Sequence, residues 1–201
     1  MFIIFTANVN GRVNISVDAA INVRVNANFN ICGYDSGTNK GRPAMFTITF
    51  ANPKGGSGKT TSAMLLAEQI HHAGASVAIL DCDPNRNILQ WAEQRREKGR
   101  GEPFLVRSVP SESEFMDTLD GLRGQADYLI IDLEGTASNL VTYAISQSDL
   151  VLVPFEPTPM EARQAARAVQ LVRNTGRMMN KTIGHALLLT RVNAAFQTSD
   201  E

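Results

Sequence analysis

Apolar and polar positions follow two regimes along the chain, and the change falls near residue 45. Before it, Val23, Val25, Ala27, Phe29 and Ile31 alternate with polar neighbours, a period of two that predicts a strand or hairpin. Gly33, Gly37, Gly41 and Pro43 then read as a linker. After it, short β-type runs at 46–51, 76–80, 104–106, 128–132, 150–154 and 186–190 alternate with helical patterns. The first helix carries Ala63, Leu66, Ala67 and Ile70 on one face and stops at Gly74. A second spans 89–98, with Trp91 packed beneath it. Ser111 and Glu114 read as a capping box opening a third, whose Phe115, Leu119 and Leu122 share a face. Leu140, Val141, Ala144 and Ile145 mark a fourth, and a long fifth runs from Met160 to Arg173. Strand and helix in alternation, with unbroken apolar strands, predict a three-layer α/β fold: a mainly parallel sheet covered by helices on both faces.

Composition adds limits. At 201 residues, with 43% apolar and 19% charged positions, the chain is long enough for one domain with a real core. A net charge of −1 gives no chain-wide attraction to nucleic acid, so any such contact needs a local patch. Cys32 and Cys82 form no metal-ligand spacing and suggest a reducing compartment. Residues 1–5 are apolar but too short for a signal core and have no basic residue ahead of them, and no run reaches bilayer length, so a cytoplasmic protein is expected. The asparagine-rich stretch 1–44 is read as an N-terminal extension to a domain at 45–201. It is either an appended or upstream-translated segment without a function of its own, or a small β extension on the domain edge.

The chemistry concentrates in Lys54-Gly55-Gly56-Ser57-Gly58-Lys59-Thr60-Thr61, between the first strand of the domain and its first helix. A strand, a glycine-rich turn and a helix in that order make a phosphate-binding loop. Glycines let backbone N–H groups converge on phosphate oxygens, and the helix N-terminus adds unpaired donors and a positive dipole end. Lys59 would reach the β- and γ-phosphates, and the Thr60 hydroxyl would hold Mg²⁺. Asp81, Asp83 and Asp132 each end an apolar strand, where ligands bind in open α/β sheets. A lone aspartate there is usually a turn residue; three beside such a loop are read as a metal and phosphate set. His71 and His72 are read as a solvated helix end. Arg163 and Arg167 lie four apart on the long helix, with Arg173, Arg177 and Lys181 beyond and Glu161 the single acid. They are either a stripe for DNA phosphates or a solvated face.

The KGGSGKTT form resembles the deviant Walker A box of the ParA/MinD family of ATPases, although Pro53 stands where the simplest form of the motif has its first glycine. The resemblance implies that Lys54 reaches across a dimer interface to the partner's nucleotide, and that residues 54–61 bind ATP. Asp81-Cys82-Asp83-Pro84-Asn85 resembles the DxDP element of that family's first switch. On that match Asp83 positions or activates the attacking water, and Asp81 binds a water on Mg²⁺. Asp132 matches the Walker B aspartate, holding Mg²⁺ through water. Gly135 would offer its N–H to the γ-phosphate, making 133–138 the second switch. Leu133-Glu134-Gly135 departs from the proline that many relatives carry there, although the VirC-like branch also varies at this point. Glu134 is a second candidate for positioning water, ranked below Asp83. Residues 153–159 resemble the family's proline-rich turn, and Thr190-Arg191-Val192-Asn193 resembles a TRYN element that helps enclose adenine, making Asn193 a candidate base contact.

The resemblance covers about 45–193. Relatives usually continue with another strand and a C-terminal helix, so this chain is expected to lack the usual end of the domain, which completes the base pocket. The resemblance implies ATP and Mg²⁺ as ligands, slow partner-stimulated hydrolysis, a homodimer formed on ATP binding, nonspecific DNA, and a ParB-like or other activating partner. The service would be partition or positioning of plasmid or chromosomal DNA or another cargo, or a VirC-like variant in DNA transfer. A MinD-type membrane-positioning ATPase is the alternative; it needs a C-terminal amphipathic helix absent from this sequence, so a membrane partner is not expected. A non-cycling nucleotide-bound scaffold is the third reading. Nitrogenase-iron-protein-like function lacks its cluster cysteines, and a tyrosine-kinase relative would need a C-terminal tyrosine cluster.

Overall fold

The computed structural model describes residues 45–109, 111–135 and 139–191, together with the backbone of three short strands ahead of them. Those strands are β1 (Phe2–Ala7), β2 (Arg12–Asp18) and β3 (Phe29–Asn30), an antiparallel sheet in which Phe2 pairs with Asp18 and Val13 with Phe29. Apart from Phe29–Asn30, the alternating stretch at 23–31 lies outside the described residues.

The second sheet carries the domain. Its strands are β4 (Phe46–Phe50), β5 (Val77–Cys82), β6 (Leu105–Ser108), β7 (Tyr128–Leu133), β8 (Leu150–Phe155) and β9 (Gly184–Leu189), in the order β6-β5-β7-β4-β8-β9 and all parallel. Between them run α1 (Lys59–His72), α2 (Asn87–Glu97), α3 (Glu112–Leu122), α4 (Asn139–Gln147) and α5 (Pro159–Met178). Parallel neighbours need crossovers, and each helix supplies one. Because both faces are covered, both registers of each central strand are apolar, which is why the runs in the sequence are unbroken. Ile48, Phe50, Val77, Ile79, Ile130 and Leu152 pack against α1 and α2 through Leu66, Ile70 and Ile88. Leu80, Leu129, Ile131, Val151 and Val153 face α3, α4 and α5 through Phe115, Leu119, Ile145 and Val172.

The chain skips from β4 to β5 and only later inserts β7 between them. This places the carboxyl ends of three strands in one row: Phe50 is opposite Asp132, and Asp132 is opposite Asp81. That row is a topological switch point, where such sheets bind ligands.

Two local expectations change. α5 continues five residues beyond Arg173, because Thr175 and Gly176 are buried and prolong the core-facing stripe. Its start is well defined: Pro159 occupies the first turn, and Thr158 Oγ1 accepts the Glu161 N–H at 3.2 Å. Ser111 does stand at the N-cap of α3, but its hydroxyl donates to the Glu114 carboxylate at 3.0 Å instead of bonding the backbone, so the reciprocal capping box is not formed. Trp91 stacks on Phe104 with centroids 5.4 Å apart, and the Arg95 guanidinium covers its ring at 5.1 Å.

Candidate phosphate-binding site

The loop between β4 and α1 is fastened before it turns. Asn52, buried at the end of β4, donates its side-chain amide to the Pro154 carbonyl at 2.6 Å and accepts the Lys54 N–H at 2.9 Å. Gly56 and Gly58 then take φ of 75° and 92°, the left-handed region that side chains disfavour, and the second of them caps α1. At the far side Thr190 donates its hydroxyl to the Ser57 carbonyl at 2.9 Å. Asn52 carries no motif, and the TRYN-like element gives Thr190 no contact with the loop; their polarity at the ends of apolar strands is the available signal.

A cleft of about 460 Å³ opens over this loop, lined by Gly55, Gly56, Gly58, Lys59, Thr60 and Thr61 on one side and by Asp83, Asn85, Asn87, Glu134, Gly135 and Arg191 on the other. Lys59 is nearly buried, and its ammonium donates to the Lys54 carbonyl at 3.1 Å. Burial lowers its pKa, opposed by the charges of Asp132, Asp83 and Glu134, so these acids stand around it. A larger cleft of about 540 Å³ lies around His71, Ser76 and Phe104, at the opposite ends of the strands.

The three strand-end aspartates meet different surroundings. Asp132 is fully buried, on the same side of β7 as α1, and burial pushes its carboxyl up to about 7. The Thr60 hydroxyl nearby holds that rise down, yet neither carboxylate oxygen has a hydrogen-bond partner of good geometry. Asp81 is also buried, but its oxygens are engaged: Oδ2 accepts the N–H groups of Ile88 and Leu89 at 3.0 Å each, and Oδ1 that of Asp83 at 3.3 Å. It therefore caps α2 from a strand end, a role that the sequence reading missed. Burial raises its pKa and the backbone donors oppose the rise. Asp83 lines the cleft, with Oδ1 accepting both the backbone and side-chain N–H of Asn85 at 2.8 Å.

Gly135 lies against the loop so closely that a Cβ on it would stand 2.5 Å from the Gly55 nitrogen. Lys54 is half exposed and pairs with Glu161, an almost wholly buried acid in the first turn of α5; this partner raises the Lys54 pKa. Asn193 and residues 136–138 lie outside the described residues.

On α5, Arg163, Arg167, Arg173 and Arg177 are exposed and make no ion pair among the described residues. Lys181 behaves differently: its ammonium donates to the Ser148 carbonyl at 2.8 Å and lies 4.0 Å from Asp149, so it is tied to the sheet and leaves the stripe. His71 and His72 are exposed at the end of α1, and no metal-holding cluster of His, Cys, Asp and Glu occurs among the described residues. No described helix is long and apolar enough to cross a membrane.

A sequence model of the family described as VirC1 protein matches residues 45–201. A protein ParA of Rhizobium radiobacter is 35% identical over 156 residues, covering 78% of this chain and 69% of that protein. Among solved structures, a plasmid partition protein of Borrelia burgdorferi bound to AMPPNP superposes with a TM-score of 0.61 at 20% identity, covering 75% of this chain and 78% of that one. A cobyrinic acid a,c-diamide synthase of Mycobacterium smegmatis with bound ADP and magnesium shares the fold at a TM-score of 0.58 and 18% identity, covering 74% and 75%. The parallel sheet with helices on both faces is thus the P-loop NTPase fold. Sequence and fold agree that the chain belongs to the VirC1 family, within the ParA/MinD type of P-loop ATPases.

Proposed function

We propose that the chain binds ATP with Mg²⁺ in the cleft over residues 54–61 and hydrolyses it slowly, as a dimeric switch of the ParA type that positions DNA or another cargo. The observation that carries this reading is the convergence of Lys59, Asp83, Asp132 and Glu134 on one left-handed glycine loop at the start of α1. Lys59 would exchange the Lys54 carbonyl for phosphate oxygens, an anionic acceptor in place of a neutral one. Backbone N–H groups of the loop and of the first turn of α1 would cradle the remaining oxygens.

The residues present fit a magnesium ion. Asp132 is a buried carboxylate with both oxygens unpartnered, next to a hydroxyl, and hard oxygen donors are what that ion takes. Thr60 and Asp132 would hold it, the latter through water; Asp81 keeps less acceptor capacity for that task because α2 already uses it. When bound, the ion neutralises charge on the β- and γ-phosphates. Asp83 has one oxygen fixed by Asn85 and offers the other to a water proton, so it would orient the attacking water. Gly135 would direct its N–H at the γ-phosphate and couple the loop after β7 to the nucleotide.

Lys54 is the one loop cation turned out of the cleft, onto α5. In a dimer it would leave Glu161 for the partner's nucleotide. The uncompensated arginines of α5 are a sequence-independent surface for DNA phosphates, with ParB-like or other proteins as activators. ATP and ADP titration of wild type, Lys59→Ala and Asp83→Ala, with phosphate release and DNA binding measured in parallel, tests the scheme. Lys59→Ala should abolish nucleotide binding. Asp83→Ala should retain it, lower turnover by at least about a hundredfold, and stay on DNA with ATP. Identical behaviour of all three proteins would refute the cycle.

A further inference from the structure

Thr190 and Arg191, which follow β9, lie against the phosphate loop. Besides the bond to the Ser57 carbonyl, Thr190 donates its backbone N–H to the Phe155 carbonyl at 2.8 Å, and its methyl lies 3.2 Å from where a Cβ on Gly58 would be. The end of β9 and the loop thus form one unit across 133 residues of sequence. Arg191 follows with φ of 51°, a left-handed conformation that residues other than glycine seldom adopt.

With that turn the side chain lies back over the loop. Arg191 Nη2 lies 3.9 Å from where a Cβ on Gly56 would be, and Arg191 borders the same cleft as Lys59 and Asp83. Arg191 Nη1 donates to Glu156 Oε1 at 2.7 Å. The arginine side chain is still 64% exposed, so this pair adds little to stability and does not by itself account for a left-handed backbone. Sequence reading had placed this element beside the base and gave Arg191 no role.

We propose that Arg191 is a second phosphate ligand of the nucleotide site, delivered in cis by the end of β9 and aimed by Glu156. The polyphosphate would meet Lys59 from the α1 side and a guanidinium from the sheet-edge side. A guanidinium suits the task because it is planar, permanently charged and able to give paired hydrogen bonds to two oxygens of one phosphate. Glu156 occupies Nη1 and leaves Nη2 toward Gly56, in the middle of the turn whose N–H groups would take phosphate. Glu156 is then a positioning residue. The inference rests on the nucleotide reading above and extends it to a residue outside the loop.

Calorimetric titration of the full chain with ATP, ADP and inorganic tripolyphosphate tests it, in wild type, Arg191→Ala, Arg191→Lys and Glu156→Gln. Tripolyphosphate has neither base nor ribose. Arg191→Ala should weaken ATP and tripolyphosphate alike by about tenfold or more, the usual worth of a charge-assisted contact. Arg191→Lys should fall between, and Glu156→Gln should weaken both by a smaller factor. Unchanged tripolyphosphate affinity in Arg191→Ala overturns the proposal, and so does a loss confined to ATP and ADP, which would mark a base contact. If Arg191→Ala fails to fold, Arg191→Lys and Glu156→Gln decide: wild-type tripolyphosphate affinity in both overturns it. A wild type that binds neither ATP nor tripolyphosphate would instead refute the nucleotide reading itself.

Discussion

Asp132 costs the unliganded protein stability, and the cost can be measured. Its carboxyl ionises near an ordinary 3.8 in the unfolded chain and is pushed up to about 7 in the folded one by burial. Between those values the folded state holds a proton that the unfolded state has released, so stability falls as pH rises, and above about 7 the loss is complete. From about pH 5 to about pH 8 roughly two pKa units of the shift are traversed, and at about 1.4 kcal/mol per unit this removes about 3 kcal/mol. Asp132→Asn keeps the shape and removes the titration. Its stability relative to wild type should therefore rise by about 3 kcal/mol between the two pH values, about 6–12 °C in melting temperature for a chain of this size. Asp81, whose pKa burial also raises, gives a residual slope of the same sign in both proteins. Urea unfolding of both proteins across that range, without nucleotide or Mg²⁺, is the assay. Parallel curves, or a variant that loses ground as pH rises, would refute the view that burial outweighs what Thr60 and Lys59 return to this carboxylate. The same variant should lose Mg²⁺-dependent nucleotide binding, since the oxygens that lack partners are those proposed to face the ion.

Other outcomes follow from single contacts. Gly135→Ala places a methyl 2.5 Å from the Gly55 nitrogen, so it should destabilise by about 1–3 kcal/mol and weaken ATP more than ADP in a binding assay. Lys54→Ala leaves Glu161 buried without its cation and should lower the melting temperature, whereas Lys54→Ala with Glu161→Gln should recover toward wild type, because the buried charge is then gone too. If the double variant is the less stable, the pair is not what holds α5 to the loop. Replacing Arg163 and Arg167 with alanine should lower the salt slope of ATP-dependent DNA binding by about one to two phosphate contacts; an unchanged slope removes the stripe from the interface.

Much of this architecture is legible in residue order alone. Unbroken runs such as Tyr128–Leu133 state that both faces of a strand are covered, and the glycines of 55–58 followed by Lys59 state where the loop must be. The row formed by Phe50, Asp132 and Asp81 follows from inserting β7 between β4 and β5, which no local pattern reports. For that reason the strand-end pattern by itself treats Asp81, Asp83 and Asp132 alike and only the family resemblance separates them, whereas the structure gives them a helix cap, a cleft wall and a buried acid without a well-placed partner. Glu161 was read as the lone acid of a basic helix; its burial against Lys54 depends on where α5 begins relative to a loop about a hundred residues earlier. The remote contacts of Asn52, Thr190 and Arg191 are illegible for the same reason, although the last two belong to a recognisable element.

The fastening of the loop by Thr190 has a consequence for synthesis. The glycine turn leaves the ribosome long before the strand that pins its outer edge, and Asn52 too must wait for Pro154. A growing chain can form the β4–α1 unit early, but it cannot hold the turn in its final shape until β9 has docked. The final shape of the turn is therefore reached in steps, at β8 through Asn52 and after β9 through Thr190, and a product released before β9 would carry the glycine motif without its outer pin.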